Sequence, residues 1–353
     1  MVKDLCFEII EACPNECKFC SSNSCIDKKQ IVSFDDFKRV IYHFESRGGI
    51  EELSLSGGEP FLHPDLLKMV EYAKSFGIRT VIFTSGIKRP LPLDDGTIKY
   101  YEEEMGNRLK QIKQHEPWNE RLKNNVKKYY ERIICPSVFS PITKQELYVL
   151  KNFGLDKIVF DYQAYEHETD EYIMGRNRQK YECLLDSLMN ASIVGIETDV
   201  HFIPMKPNYK EIVDILEMLE IAKVNNISIL KFVPQGRGLK NINDLMLSDN
   251  ELVEFMKLLD SYRYLYSGNI RIGIPLMEES RHKCNAGLEK LVIKYDGTIL
   301  PCPAFKELDA DTMKKHGIKY YNIYENLEDV KVFGGKRAEP LCMKIYKKWV
   351  SCC

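Results

Sequence analysis

Three cysteines close to the start of the chain have the spacing of metal ligands. Cys13, Cys17 and Cys20 lie within the stretch CPNECKFC, and Cys25 follows a few residues later. Thiolates this close in sequence hold an iron–sulfur cluster or a zinc ion, or form disulfides in an oxidising compartment. Three of them can hold three irons of a cubane [4Fe–4S] cluster and leave the fourth iron open for chemistry. A zinc clip is the alternative, although the second cysteine pair or the histidines of a zinc site are missing nearby.

The composition of the chain narrows the choice between these chemistries. Lysine plus arginine number 50 and aspartate plus glutamate 52, so no strong net charge points to nucleic acid or to an anionic membrane. The sequence shows neither an export signal nor an apolar run long enough to cross a membrane. We therefore expect a cytoplasmic protein whose twelve cysteines are reduced, which favours metal ligands over disulfides. Cys135 and Cys183 lie alone in apolar or helical stretches and are expected to be small buried residues.

Strand and helix signals alternate along the chain and predict where the cysteines lie. DLCFEII, EELSLS and RTVIFTS have the pattern of strands, and amphipathic helices separate them. The alternation resumes after a polar interruption with the strands KIVFDY, ETDVHFIP and SILKFVP. Six such units predict an α/β fold, a parallel sheet curved as a partial (β/α)6 TIM-like barrel, which binds ligands at the carboxyl ends of its strands. The three cysteines follow the first strand directly, at that end.

A second motif, SGGEP at residues 56–60, follows the second strand. Gly57 and Gly58 allow a ligand to approach the backbone closely, and the charge of Glu59 suits an ammonium group. The Cys-x3-Cys-x2-Cys spacing, with Phe19 before its last cysteine, and the SGGEP stretch one strand later together resemble the signatures of radical S-adenosylmethionine (radical SAM) enzymes.

The resemblance implies an enzyme with a [4Fe–4S] cluster on the three cysteines. Such an enzyme reductively cleaves bound S-adenosylmethionine to a 5′-deoxyadenosyl radical, which abstracts hydrogen from a substrate. It also implies an electron donor such as flavodoxin or ferredoxin. The balanced charge and the lack of a long apolar run argue for no nucleic acid and no membrane partner. The implied cofactor contacts are Phe19, Gly57, Gly58, Glu59, Pro60, Thr84, Ser85, Asp161, Arg176 and Val233. For Arg176, a surface charge at the start of a helix is the alternative.

The C-terminal part of the chain carries a second set of cysteines. The DG pair in CNAGLEKLVIKYDGTILPCP predicts a tight hairpin that brings Cys284 and Cys302 together. This stretch, preceded by FVPQGRG, resembles the start of the auxiliary-cluster domain called SPASM or of its shortened form, twitch. Because the rest of the SPASM cysteine run is missing, the shortened form with a single auxiliary [4Fe–4S] cluster fits better. The implied ligands are Cys284, Cys302, Cys342 and one of Cys352 and Cys353, whereas Cys6 and Cys25 are expected to be unligated.

We predict two domains from this pattern. The barrel is expected at 1–240, with an insertion at 88–135 after the third strand, and a smaller hairpin and helix domain is expected at 241–353. The insertion is either a solvated helical hairpin or an element that selects the substrate.

The substrate is the most open part of the prediction. Family members with auxiliary clusters commonly modify ribosomally made peptides or proteins by crosslinking, epimerisation or side-chain oxidation, and this is the leading hypothesis. The alternatives are a radical dehydrogenase that acts on a small molecule and a non-catalytic iron–sulfur binding module. The first strand begins almost at the first residue, so no separate peptide-recognition domain fits before Cys6, which weakens the peptide hypothesis.

Overall fold

The computed structural model of the chain describes residues 1–88, 95–134, 139–272, 284–308, 310–315 and 317–331. By its contacts the chain divides into a large unit, Met1–Ile87 with Pro141–Cys353, and a small unit, Lys88–Ser140. The small unit overlaps the predicted insertion, and the predicted domain boundary after residue 240 stays a prediction. Within the described ranges, no helix is both long and apolar enough to cross a membrane.

The elements alternate between strand and helix over most of the chain. In chain order they are β1 (Val2–Ile10), α1 (Phe34–Glu45), β2 (Ile50–Gly57), α2 (Leu66–Ser75), β3 (Arg79–Thr84), β4 (Ile87–Lys88), α3 (Asp95–His115), α4 (Glu120–Ile134), β5 (Ser140–Pro141), α5 (Lys144–Phe153), β6 (Leu155–Asp161), α6 (His167–Met174), α7 (Arg178–Val194), β7 (Glu197–Phe202), α8 (Ile212–Ile221), β8 (Asn226–Ile229), α9 (Arg237–Lys240), α10 (Ile242–Leu245), α11 (Asp249–Tyr262), β9 (Asn269–Ile272), β10 (Lys290–Ile293), β11 (Thr298–Leu300), α12 (Ala310–Lys315) and β12 (Tyr321–Asn322).

A mainly parallel sheet forms the centre of the large unit. Its strand order is β12-β11-β10-β1-β2-β3-β6-β7-β8-β9 within the described residues. The pairs from β10–β1 through β8–β9 are parallel, and the pairs β10–β11 and β11–β12 are antiparallel. The six predicted strands are therefore neighbours in chain order, which confirms the α/β class with a parallel sheet. β9 and β10 extend that sheet at its two ends.

The two faces of β1 carry different kinds of side chain. Leu5, Phe7 and Ile9 are fully buried, and the ring of Phe7 stacks on Phe37 of α1 with centroids 5.7 Å apart. Because successive side chains of a strand point to opposite faces, Cys6 and Glu8 lie on the other face. The apolar face thus anchors the strand, and the loop after Ile10 starts from a fixed position.

The sixth predicted strand is shorter than its sequence suggests. The run SILKFVP predicts a strand up to Pro234, but β8 ends at Ile229. Its neighbour β7 ends at Phe202, whose carbonyl accepts a last hydrogen bond from the backbone N–H of Leu230 at 2.8 Å. Beyond this point no ladder partner lies among the described residues, so Val233 lies four residues beyond the strand rather than at its end.

The predicted C-terminal hairpin is present. β10 and β11 pair with Val292 opposite Leu300, and Gly297 of the DG pair has a φ of +83° at the turn. β10 also pairs with β1, with Lys290 opposite Asp4, so the hairpin continues the barrel sheet.

The small unit contains the predicted helical hairpin. α3 and α4 supply its two helices, and Nε of Arg108 on α3 donates to the hydroxyl of Tyr130 on α4 at 2.7 Å.

Candidate functional site

The loop after β1, residues 11–25, carries Cys13, Cys17 and Cys20 and is called the cysteine loop below. Cys13 is buried, Cys17 and Cys20 are partly exposed, and none of the three forms a disulfide. Burial, together with the neighbouring Cys20 thiol, raises the pKa of Cys17 to about 12. The pKa of Cys13 is raised well above its usual value by burial and by the Cys17 thiol. Thiolates here need compensating positive charge, which bound metal supplies.

A mononuclear metal site is not preformed in this region. Within the described ranges, no three His, Cys, Asp or Glu side chains converge closely enough to hold one metal ion.

The SGGEP turn holds the start of the cysteine loop. Backbone N–H groups of Gly58 and Glu59 donate to the carbonyls of Ile10 at 2.7 Å and Ala12 at 2.8 Å. A Cβ on Gly58 would lie 2.0 Å from the Ala12 oxygen, and one on Gly57, whose φ is +134°, would lie 2.2 Å from the Ile10 oxygen. Both glycines are therefore required because two backbones meet here. The sequence predicted a close approach, but assigned it to a ligand.

Glu59 joins two of the predicted motifs. Its carboxylate is fully buried and accepts hydrogen bonds from the Thr84 hydroxyl at 2.7 Å and from the backbone N–H and hydroxyl of Ser85 at 2.7 and 2.6 Å. Burial raises the pKa of Glu59, although these hydrogen bonds oppose the rise. The buried Pro60 opens the short 3-10 turn that follows. The end of β2 and the end of β3 are thus fastened together beside the cysteine loop.

Arg176 lies inside the protein, so its interpretation as a surface charge is wrong. The side chain has no exposed surface, and its guanidinium donates to Asp170 at 3.2 Å and to the carbonyl of Asp161 at 2.8 Å. Its Nε has no hydrogen-bond partner in the described part of the chain. A buried guanidinium N–H without a partner is costly, and an anionic ligand group would satisfy it.

Asp161 is the last residue of β6, at the carboxyl edge of the sheet. Burial raises the pKa of its carboxyl group, and Arg176 opposes that rise. An incompletely paired guanidinium and a carboxylate near Cys17 suit a ligand with both an anionic and a cationic group, as the methionyl part of S-adenosylmethionine has.

Phe19 and Val233 pack in two different apolar clusters. Phe19 and Cys17 lie against buried residues that include Met174 and Phe232. Val233 and Cys302 lie against a second group, whose members are Val292, Leu300, Ala304, Phe305 and Met313.

The second set of cysteines is only partly within the described residues. Cys284 is buried and Cys302 is partly exposed. The backbone N–H of Gly287 donates to the carbonyl of Pro301 at 3.1 Å, so the segments that carry the two cysteines lie side by side. The other implied ligands, Cys342, Cys352 and Cys353, lie outside the described residues.

Three cations around the cysteine loop were missed by the sequence analysis. Lys180 donates to the carbonyl of Pro14 at 2.7 Å, Arg237 to that of Cys17 at 2.8 Å, and Lys306 to the Ser22 hydroxyl at 3.0 Å. They come from α7, α9 and the segment after Cys302, far apart in sequence. An electropositive surround is what a cluster of thiolates requires. The one sequence signal was the FVPQGRG stretch, which contains Arg237.

Comparisons with known proteins point to one superfamily. Residues 7–103 match the family model of the Radical SAM superfamily. The PqqA peptide cyclase of Bradyrhizobium diazoefficiens is 21% identical over 331 residues, which cover 91% of this chain and 72% of that protein. A probable GTP 3′,8-cyclase of Saccharolobus islandicus is 22% identical over 314 residues, which cover 85% of this chain and 82% of that protein.

A solved structure shares the fold. The crystal structure of Streptococcus suis SuiB bound to precursor peptide SuiA matches with a TM-score of 0.63 at 16% identity, over 93% of this chain. This chain spans 64% of the SuiB chain, slightly less than two thirds. The likeness supports the predicted partial barrel. Residues 7–103 therefore match a radical SAM domain, a superfamily that implies a [4Fe–4S] cluster and S-adenosylmethionine as cofactors.

Proposed function

We propose that this radical SAM enzyme modifies a ribosomally made peptide or protein. The observation that carries the proposal is the loop of Cys13, Cys17 and Cys20 at the carboxyl end of β1, next to the buried, incompletely paired guanidinium of Arg176. The peptide assignment is supported by the similarity to a peptide cyclase and to a fold seen with a bound precursor peptide.

The residues of the chain have separable tasks in this function. When bound, the cluster and S-adenosylmethionine together supply a radical that removes a hydrogen atom from the substrate. Cys13, Cys17 and Cys20 would hold the cluster. Arg176 would bind the carboxylate of the cofactor through its unpartnered Nε, and Asp161 would orient a group of opposite charge or a hydroxyl.

The ends of β2 and β3 form the wall beside the cofactor in this proposal. Glu59, fixed by Thr84 and Ser85, holds the strand ends in position. Burial of this wall excludes water from the place where the substrate radical forms.

The test of the function uses the reduced, reconstituted protein with peptides encoded beside its gene. Modification would appear in mass spectra as loss of hydrogen or as uptake of solvent deuterium at one residue, dependent on S-adenosylmethionine. Cleavage of S-adenosylmethionine without any change in those peptides would count against the peptide proposal.

A small-molecule substrate is the second candidate. The observation that favours it is the similarity to a probable GTP 3′,8-cyclase over 85% of this chain, at an identity close to that of the peptide cyclase. Formation of a product from a nucleotide or sugar, with the peptides left unchanged, would select this candidate.

We further propose a single auxiliary [4Fe–4S] cluster on Cys284, Cys302, Cys342 and one of Cys352 and Cys353. Four thiolates close the cluster, so it would carry electrons and not bind substrate. A Cys352→Ala, Cys353→Ala variant should then lose substrate turnover and keep cleavage of S-adenosylmethionine. Full turnover by that variant would exclude the closed cluster. The flavodoxin or ferredoxin donor and the cytoplasmic location stay predictions.

A further inference from the structure

One short segment, Gln235–Asn241, contacts the cysteine loop along its whole second half. The segment follows β8 and includes α9. It makes its contacts with backbone groups between Cys17 and Ser24, through both side chains and main chain.

Arg237 alone occupies three carbonyl oxygens of the loop. Its Nε donates to Cys17 at 2.8 Å, a terminal guanidinium nitrogen donates to Ser24 at 2.8 Å, and its backbone N–H donates to Cys20 at 3.0 Å. A loop that leaves the sheet has no ladder to satisfy these carbonyls, so they depend on other donors. The carbonyl of Cys17 also accepts from the backbone N–H of Cys20 at 3.1 Å. The planar guanidinium offers its donors in a fixed geometry, which a lysine cannot reproduce.

Two glycines allow the segment to come this close. A Cβ on Gly236, whose φ is +52°, would lie 2.6 Å from the carbonyl oxygen of Cys20. A Cβ on Gly238 would lie 3.2 Å from the carbonyl oxygen of Phe19. The stretch QGRG therefore has the composition that contact with the cysteine loop demands.

The segment is itself fixed at both ends. Gln235 is 1% exposed, and its side-chain amide donates to the carbonyl of Ala304, two residues after Cys302. At the other end, the side-chain amide of Asn241 donates to the carbonyl of Lys18 at 3.1 Å and to that of Arg237 at 2.8 Å. The backbone that carries Arg237 is thus held in place on both sides.

We propose that Arg237 is a positioning residue, which holds the loop of Cys13, Cys17 and Cys20 in the conformation that receives the cluster before the cluster binds. Its two side-chain hydrogen bonds fasten the carbonyl of Cys17 to that of Ser24, across Cys20. The inference rests on the proposed role of these three cysteines as cluster ligands. It adds that Arg237 orders the cysteine loop already in the protein without metal.

The test compares Arg237→Gln and Arg237→Lys with the unaltered chain. The matched control is Arg178→Gln, because Arg178 is 82% exposed and pairs with Glu182 on the surface. Hydrogen exchange of the apoprotein is measured over residues 13–25, and loss of iron to a chelator is measured on the reconstituted protein. In both Arg237 variants we expect each rate to rise about tenfold, the effect of one lost charge-assisted hydrogen bond, with no change in the control.

The lysine variant separates positioning from charge. It keeps the positive charge, so the midpoint potential of the cluster should stay at the value of the unaltered protein, while iron is lost faster. In Arg237→Gln the potential should also become more negative, because a cation beside the cluster is gone. Exchange and iron loss at the unaltered rates in Arg237→Lys would overturn the proposal.

A milder variant covers the case in which both Arg237 variants fail to fold. Asn241→Ala removes the side-chain hydrogen bonds to the carbonyls of Lys18 and Arg237 but leaves the Arg237 guanidinium in place, so it should speed exchange of the loop by a smaller factor. An unchanged rate would then overturn the proposal. If the unaltered chain binds no cluster, the proposed function fails, and hydrogen exchange on the apoprotein still decides the role of Arg237.

Discussion

The cysteine loop after β1 and the hairpin before Cys302 are held in place by different means. The hairpin is fixed by backbone ladders, within itself at Val292 and Leu300 and to β1 at Lys290 and Asp4. The cysteine loop is fixed by donors from distant elements, as in the bond from Arg237 to Cys17, which spans 220 positions. In a functional loop outside the sheet, backbone groups have no ladder partners, so donors from other parts of the chain must form hydrogen bonds with them.

The largest effect is expected from removing the ligands of the loop and leaving the hairpin intact. Cys13→Ala, Cys17→Ala, Cys20→Ala together should abolish cleavage of S-adenosylmethionine. Reconstituted protein should hold about eight irons per chain if both sites are cubanes, and the triple variant about four. Iron and sulfide analysis makes the comparison, and an unaltered chain with about four irons would refute the auxiliary site.

The next largest effect is expected at the turn that supports the loop. In Gly58→Val the new Cβ would lie 2.0 Å from the Ala12 oxygen, so the loop must move. We expect loss of both the cluster and S-adenosylmethionine binding, measured by iron content and by equilibrium dialysis. Gly106→Val in α3 is the control, since a Cβ there meets nothing within 4 Å. A Gly58 variant that keeps the cluster and loses only the cofactor would show that the glycine serves the ligand.

A smaller effect is expected from the junction between β2 and β3. In Glu59→Gln an amide replaces the carboxylate that accepts from Thr84 and Ser85, so at least one donor loses its partner. The free energy of unfolding should fall by about 1–3 kcal/mol in denaturant titration. Glu51→Gln, at an exposed position of β2, should change it little. Equal effects of the two changes would contradict the role of Glu59 in fastening the strand ends.

The last effect, which is confined to acid pH, is expected from the carboxyl group of Asp170, which pairs with Arg176. Burial raises the pKa of Asp170 to about 6. Between about pH 4 and 6 the folded protein then keeps a proton on Asp170 that the unfolded chain has released. The free energy of unfolding therefore falls as the pH rises through that range. The total fall due to this group is roughly 3 kcal/mol at most. Asp170→Asn should remove this slope from the pH dependence of unfolding. The same slope in the variant and in the unaltered protein would show that Asp170 is not its source.

Segments held by backbone ladders could be predicted from the sequence, whereas the side-chain contacts that hold the cysteine loop could not. The strands, the helix caps and the hairpin follow from local patterns, as with Ser33, whose hydroxyl accepts from the N–H of Asp36 at 3.1 Å at the start of α1. The three-cysteine motif and the SGGEP turn were likewise visible because each is contiguous.

The support of the site could not be predicted in the same way. Lys180, Arg237 and Lys306 come from distant parts of the sequence and meet the cysteine loop only in the folded chain, so no spacing rule connects them to it. The end of β8 was misjudged for a related reason, because a strand ends where its neighbour ends. The need for glycine at Gly58 was correctly predicted, yet its partner is the carbonyl of Ala12.

The central claim is that the three-cysteine loop supports radical chemistry on S-adenosylmethionine, and one measurement tests it most directly. The reconstituted protein is reduced anaerobically with S-adenosylmethionine, and 5′-deoxyadenosine and methionine are quantified. We predict both products in equal amounts, and neither from the variant that lacks Cys13, Cys17 and Cys20. A chain loaded with iron that forms no 5′-deoxyadenosine, or a triple variant that forms as much as the unaltered protein, would contradict the account.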